Sequence, residues 1–162
     1  FAEYVRVPAI NVDRGVFVLP DNMSLEDGTF IEPLACVVRG QRVARIEPGQ
    51  TVVIIGSGMS GLLHILLARS LGAGKIIATD ISEYRMEMAR KFGADSVISA
   101  HDDLPSHLLK LNSNRLADRI IVTAGADSAL DTAIKSVDRG GTILFFAPGG
   151  PDTRLSVPFN DF

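Results

Sequence analysis

Three glycines with the spacing Gly56-x-Gly58-x-x-Gly61 stand between two apolar stretches, TVVII before them and LLHILLA after them. Where a buried strand turns into a helix, the first glycine permits a tight turn and the second lets the backbone approach a pyrophosphate. The third lets the helix pack on the strand. The opening amides of such a helix, here near Met59 and Ser60, have no intrahelical partners and carry partial positive charge. The spacing therefore predicts a diphosphate site that needs no Lys or Arg.

A carboxylate follows at the distance expected for a sugar contact. Asp80 comes 24 residues after Gly56, at the end of a second apolar run, KIIATD. A carboxylate at this place accepts hydrogen bonds from the ribose hydroxyls of adenosine and repels a 2′-phosphate. The sequence therefore predicts NAD rather than NADP, with Arg85, a turn further on, as a second contact to the ribose.

The glycine pattern by itself leaves other interpretations open. Glycine-rich turns between strand and helix also serve packing alone, and flavin domains share the fold. A methyltransferase that binds S-adenosylmethionine has a similar turn and acid, but its usual pattern is G-x-G-x-G, whereas position 60 here is serine. The combination of the glycine spacing with Asp80 favours a dinucleotide.

The surrounding elements must position these residues, and they alternate from Thr51 onward. Apolar runs predict five strands, at TVVIIG, KIIATD, SVIS, DRIIVTAG and GGTILFFAPGG. Between them the sequence predicts a helix over 59–72, a helix from an N-cap at Ser82 to Gly93, a weak helix HDDLPSHLLKLNS interrupted at Pro105, and a helix SALDTAIKSV. This alternation predicts an α/β fold with a doubly wound parallel sheet.

The first 50 residues lack this alternation. They predict a short strand, AEYVRV, a turn-rich loop, LPDNMSLEDG, and a helix, IEPLACVVRGQRVA. We therefore predict a connector over 1–50 and a dinucleotide-binding domain over 51–162. The first residue is not Met and the last residues, PFNDF, carry no capping signal, so we expect a piece of a longer polypeptide.

The composition argues against several classes of protein. Hydrophobic residues make up 46% of the chain and the net charge is −3, which describes a soluble globular protein without the basic excess that nucleic-acid binding needs. No apolar run reaches the roughly 20 residues of a membrane span. The single cysteine, Cys36, cannot form an internal disulfide, which fits a reducing compartment such as the cytoplasm.

With the strand, the glycines and Asp80 in place, nearly the whole chain resembles the zinc-type alcohol dehydrogenases of the medium-chain dehydrogenase/reductase superfamily. The segment from TVVIIGSGMSG to ARKFGAD is similar to the family's most recognisable stretch, and IEPLACV is closest to its polyol and threonine dehydrogenase branch. The first 50 residues resemble the end of the family's catalytic domain and its connection to the cofactor domain. The resemblance implies a Rossmann fold without the family's sixth strand, which would leave TILFFA as an apolar edge.

The resemblance also implies a function. The chain would be the NAD(H)-binding part of a zinc-dependent dehydrogenase that transfers hydride between an alcohol or polyol and nicotinamide, and it would be inactive alone. The intact enzyme would hold zinc and form a homo-oligomer, with no nucleic-acid or membrane partner. A non-catalytic dinucleotide-sensing module and a zinc-free reductase domain stay open as alternatives.

By the same resemblance, two further loops contact the cofactor. The loop after the fourth strand would line the adenosine side and approach the nicotinamide ribose, and the loop after the fifth would offer backbone groups to the carboxamide. Both loops lie at carboxyl ends of strands, where open α/β sheets bind ligands. The positions are Thr123, Ala124, Gly125, Phe146, Ala147 and Pro148.

The resemblance places one metal candidate in the chain. Glu32 matches the position that binds the catalytic zinc or hydrogen-bonds to its water, although a carboxylate that favours a helix N-terminus is at least as well expected. The family's other zinc ligands have no counterpart here. Cys36 would lie towards the nicotinamide or, as we expect, be a small buried core residue. His64 is expected to be a hydrogen-bonded core residue, and the other two histidines flank a polar, exposed segment.

Overall fold

The computed structural model describes residues 2–147, 149–150 and 152–158. Its five strands are β1 (Thr51–Ile55), β2 (Lys75–Asp80), β3 (Ser96–Ser99), β4 (Ala117–Val122) and β5 (Val137–Phe145). Its helices are α1 (Ala9–Gly15), α2 (Leu25–Gly28), α3 (Ile31–Ala44), α4 (Met59–Ser70), α5 (Glu83–Lys91), α6 (Leu104–Leu111) and α7 (Asp127–Ser136).

The strands form one parallel sheet in the order β3-β2-β1-β4-β5. From β1 the chain builds outward to β2 and β3, then returns and builds outward on the other side through β4 and β5. The order therefore reverses between β1 and β4, and ligands bind at such a switch point in open α/β sheets. The predicted doubly wound parallel sheet is confirmed.

The central strand β1 shows why the sheet needs helices on both of its faces. All five of its residues are buried. Val53 and Ile55 belong to one apolar cluster with residues of α6 and α7, while Val52 and Ile54 belong to a second cluster with residues of α4 and α5. Because successive side chains of a strand point to opposite faces, a continuous apolar run requires cover on both sides.

Several predicted elements are observed and others differ. The predicted helix IEPLACVVRGQRVA is α3, and the two helices after β1 and β2 begin where the sequence places them. The predicted interruption at Pro105 was wrong. Pro105 lies in the first turn of α6, where its missing N–H costs no intrahelical hydrogen bond.

The predicted strand AEYVRV was also wrong. Residues 2–8 have no regular secondary structure, and α1, which the sequence analysis did not predict, follows them. A strand needs a neighbouring strand to satisfy its backbone groups, and the described sheet consists of β1 to β5 alone. β5 is an edge strand of this sheet, and Phe145 at its end is 46% exposed.

The chain divides into two compact units, Phe1–Glu32 and Pro33–Phe162. The first contains α1 and α2, and the second contains the whole sheet with α4 to α7. These units are defined by how compactly the residues pack. The predicted domain boundary near residue 50 is a separate matter and stays a prediction. Among the described residues, no helix combines the length and the apolar character that a membrane span requires.

Candidate functional site

A pocket of about 240 Å³ opens at the carboxyl ends of β1, β2, β3 and β4. It lies at the switch point of the sheet. Most of its lining is apolar, and its charged groups come from three residues. The lining residues are Ile55, Gly56, Gly58, Thr79, Asp80, Ile81, Arg85, Ser99, Ala100, Asp102, Leu104, Thr123, Ala124, Ala126, Ser128, Ala129 and Thr132.

The three glycines of the glycine loop, residues 56–61, are there for three different reasons. Gly56 has φ +99°, a conformation that favours glycine. A Cβ on Gly61 would lie 2.0 Å from the carbonyl oxygen of Gly56, so only glycine lets α4 approach the loop. A Cβ on Gly58 would meet no heavy atom within 4 Å. Backbone conformation and packing within the chain thus account for glycine at positions 56 and 61. Gly58 instead borders open space at the N-cap of α4.

Asp80 latches the glycine loop to the end of β2. Its side chain is 5% exposed, and its Oδ2 accepts a hydrogen bond from the Ser57 amide at 2.8 Å. Its Oδ1 accepts one from the Ser82 amide at 2.9 Å, and Arg85 Nη1 lies 3.9 Å from Oδ2. Because each carboxylate oxygen has two acceptor positions, Asp80 keeps capacity for ribose hydroxyls. Ser82 is the predicted N-cap of α5, but its side chain makes no capping hydrogen bond.

Ser57, which the sequence pattern does not single out, is fully buried. Its amide binds the carboxylate of Asp80, and its hydroxyl donates to the Thr79 carbonyl at 3.2 Å. No pattern in the sequence points to this role, because position 57 is the unspecified residue between two glycines. The Ser57 amide therefore connects the glycine loop, which is predicted to bind the diphosphate, to Asp80, which is predicted to bind the ribose.

Thr123 supports the glycine loop from the side of β4. Its Oγ1 lies 2.8 Å from the carbonyl oxygen of Gly56 and 3.1 Å from that of Ile55, so its hydroxyl donates to these carbonyls. Ala124 follows it in the pocket wall, whereas Gly125 is exposed and outside the lining. The predicted loop after the fourth strand thus contributes two of its three residues to the pocket.

The loop after β5 is tied back to β4. The amides of Phe146 and Ala147 both donate to the Val122 carbonyl, at 2.9 and 3.0 Å. Because both amides are already paired, the backbone carbonyls of Phe146 and Ala147 are the groups left to hydrogen-bond a carboxamide. That role of the loop stays a prediction. Pro148 lies outside the described residues. Met59 and Ser60 begin α4 beside the pocket lining, and the Met59 side chain is half exposed.

His64 is a buried core residue, as predicted. Gln41 Nε2 donates to His64 Nδ1 at 3.1 Å and to the His64 backbone carbonyl at 2.8 Å. Its ring meets Phe146 almost perpendicularly, with 4.6 Å between centroids. Burial lowers the pKa of His64 to about 4, so its ring is neutral at pH 7. Its Nε2 has no hydrogen-bond partner among the described residues.

The metal candidate stands in α3. Glu32 lies in the first turn of this helix, which is favourable for a carboxylate. The expectation that Cys36 is buried was wrong, because its side chain is exposed. Within the described part of the chain, no group of three or more His, Cys, Asp or Glu side chains could hold a metal ion. The described residues therefore do not form a complete zinc site by themselves, and the role of Glu32 stays a prediction.

Comparison with known proteins gives consistent similarities. Residues 61–162 match a family model described as zinc-binding dehydrogenase. Sorbitol dehydrogenase from Bacillus subtilis is 35% identical over 146 residues, covering 89% of this chain and 41% of that protein. A solved alcohol dehydrogenase from Thermus sp. has a TM-score of 0.79 at 28% identity, covering 88% of this chain and 42% of the other.

A second solved structure is informative for the cofactor. A protein from Sinorhizobium meliloti, assigned to the zinc-binding dehydrogenases and solved with NADP bound, has a TM-score of 0.83 at 26% identity. The match covers 90% of this chain and 43% of that protein. The chain thus spans about two fifths of the length of the relatives it matches.

Proposed function

Because the chain belongs to the zinc-binding dehydrogenase family, we propose that it binds NAD(H) for a dehydrogenase of alcohols or polyols. One observation carries the proposal. The space beside Gly58 is open at the N-cap of α4, inside the pocket that also contains Asp80. The likeness to sorbitol dehydrogenase supports a polyol as the substrate of the intact enzyme.

The start of α4 is the proposed diphosphate-binding site. The helix has 12 residues and begins at Met59, so its first amides lack intrahelical acceptors and its N-terminus carries partial positive charge. An anion held in this way requires no cationic side chain. The Thr123 hydroxyl occupies the Gly56 carbonyl of the glycine loop, so this acceptor already has a partner within the chain.

Asp80 then selects the ribose. Its buried carboxylate retains acceptor positions for the two hydroxyl groups and would repel a 2′-phosphate. Arg85 lies within 3.9 Å of this carboxylate and could balance a phosphate, and a related protein was solved with NADP. We propose NAD as the preferred cofactor, because the carboxylate is latched by two amides whereas the Arg85 side chain is 56% exposed.

When bound, the nicotinamide supplies the hydride acceptor or donor of the reaction. The residues of this chain bind and orient the dinucleotide, with the ends of β4 and β5 towards the nicotinamide side. Among the described residues, no group of three or more His, Cys, Asp or Glu side chains could hold zinc. We also propose that the intact enzyme is a cytoplasmic homo-oligomer; the single cysteine fits a reducing compartment.

The test is a titration of the full chain with NADH, NADPH and S-adenosylmethionine, before and after Gly58→Val. We expect NADH to bind more tightly than NADPH and S-adenosylmethionine not to bind. The valine side chain would fill the open space at the proposed diphosphate-binding site. NADH affinity should therefore fall at least about 100-fold, which is a loss of about 2.7 kcal/mol of binding free energy. The unfolding midpoint should fall only slightly, because a Cβ there meets no heavy atom within 4 Å, although valine is a poorer N-cap residue than glycine.

Gly15→Val is the matched control, because a Cβ on Gly15 also meets no heavy atom within 4 Å and its backbone has no positive φ. It should leave NADH affinity unchanged. Unaltered NADH binding in Gly58→Val would show that the glycine loop serves packing alone. Tighter binding of S-adenosylmethionine than of NADH would assign the pocket to a methyltransferase.

A further inference from the structure

Three charged residues line the described pocket, and one of them has no role in the proposed function. Asp80 accepts two backbone amides, and Arg85 lies beside it. The side chain of the third, Asp102, makes no hydrogen bond and no ion pair within the described part of the chain, although its neighbour Asp103 accepts a hydrogen bond from the Ser106 hydroxyl. Asp102 is exposed, so the pocket has at its rim one carboxylate that no group of the described chain hydrogen-bonds.

The backbone holds Asp102 at the end of β3. Its amide donates to the Ser99 carbonyl at 3.0 Å, which closes a turn directly after the strand. The amide of Ala100 donates to the Asp80 carbonyl at 3.0 Å, which ties this turn to the end of β2. Three neighbouring strands thus present Gly58, Asp80 and Asp102 in spatial order.

This order matches the parts of a nucleotide. Neighbouring strands lie about 4.8 Å apart, so the end of β3 is two spacings, roughly 10 Å, from the end of β1. With the diphosphate at β1 and the ribose at β2, the base extends towards β3. The pocket wall there comes from α6 and from the start of α7 and includes the apolar residues Leu104, Ala126 and Ala129. An apolar slot with a polar rim suits a flat base that is read at its edge.

We propose that Asp102 accepts a hydrogen bond from the 6-amino group of adenine and so selects adenine dinucleotides over those with a 6-oxo purine. This inference rests on the proposed function. A carboxylate only accepts hydrogen bonds, so it pairs with an amino group and repels a carbonyl oxygen. The hydroxyls of Ser128 and Thr132, which also line the pocket, donate or accept equally well and do not make this distinction.

The test compares NADH with reduced nicotinamide hypoxanthine dinucleotide, which differs from NADH in the 6-oxo group and the N1 proton of its purine. The chain has no tryptophan, so binding is followed by exciting the reduced nicotinamide, which both ligands share. The unmodified full chain should bind NADH about tenfold more tightly, as expected for a charge-assisted hydrogen bond at an exposed rim.

Asp102→Asn should reduce this preference to about twofold or less, because an amide can donate to a 6-oxo group or accept from a 6-amino group. Asp103→Asn is the matched control. It removes an adjacent negative charge that does not line the pocket, and it should keep the tenfold preference.

Equal affinity of the unmodified chain for the two ligands would overturn the inference and leave dinucleotide binding intact. The same holds if Asp103→Asn reduces the preference as much as Asp102→Asn does, because the effect would then come from general charge. If neither dinucleotide binds, the proposed function and the inference both fail.

Discussion

The two ends of the parallel sheet differ in how completely the polar groups described there are paired within the chain. At the amino ends, Asp118 accepts the Thr51 amide at 2.8 Å through one oxygen and Arg115 at 2.8 Å through the other. The Thr51 hydroxyl donates to Asn112 at 2.8 Å. At the carboxyl ends, open space lies beside Gly58 and the pocket holds a carboxylate without a partner in the described chain. Polar groups that are satisfied internally stabilise the fold, and those left over are available to a ligand.

The largest expected effect tests the glycine loop. Gly61→Ala would place a Cβ 2.0 Å from the Gly56 carbonyl oxygen, so α4 must move away from β1. We expect the free energy of unfolding to fall by about 3 kcal/mol, the upper part of the range for overpacking. Gly58→Ala, where the Cβ meets no atom, should change it by less than about 0.5 kcal/mol. Urea denaturation measures both, and equal losses would contradict the assignment of separate roles to the two glycines.

A second test concerns His64, a buried polar group that belongs to neither end of the sheet. Its pKa is lowered to about 4 in the fold and returns to about 6.5 on unfolding, so the unfolded chain binds more protons between these values. Its contribution to stability is complete above pH 6.5 and is lost as the pH falls towards 4. Between pH 7 and pH 5 we expect a loss of about 2 kcal/mol.

The measurement is the free energy of unfolding at both pH values. His64→Gln should lack this pH-dependent part, whereas His101→Gln, at an exposed position, should retain it. If all three proteins show the same pH dependence, the loss comes from other groups and His64 is not the titrating residue.

The smallest expected effect tests whether the two ends of the sheet act independently. Asp118→Asn has one carboxamide oxygen in place of two carboxylate oxygens, so one of the bonds to Thr51 and Arg115 is lost. We expect the free energy of unfolding to fall by about 1.5 kcal/mol, as for a hydrogen bond to a charged group. NADH affinity should stay within about twofold. A large loss of affinity without a loss of stability would show that the ends are not independent.

Much of the fold could be predicted because its signals are local. The run TVVII is apolar throughout, which predicts a strand buried on both faces, and β1 is buried at all five positions. The helix over 31–44 was predicted with the observed bounds. The strand AEYVRV failed because a strand depends on a partner segment, and its own residues do not say whether a partner is within reach.

The candidate site was predicted in part for the same reason. Gly56, Gly58 and Asp80, which the spacing singles out, all line the pocket, since strand ends follow from the strand runs, and their binding of a cofactor stays a prediction. Spacing did not indicate Ser57 or Asp102. Ser57 matters because its amide reaches a carboxylate 23 residues later, and Asp102 because β3 lies next to β2.

The sequence by itself determined where strands, helices and the tight turn form, because hydrophobic period and glycine spacing act over a few neighbouring residues. Only the tertiary structure decided which strand ends stand side by side, which carboxylates are already satisfied, and which glycine borders open space. These properties depend on contacts between residues far apart in the chain, and no local pattern encodes them.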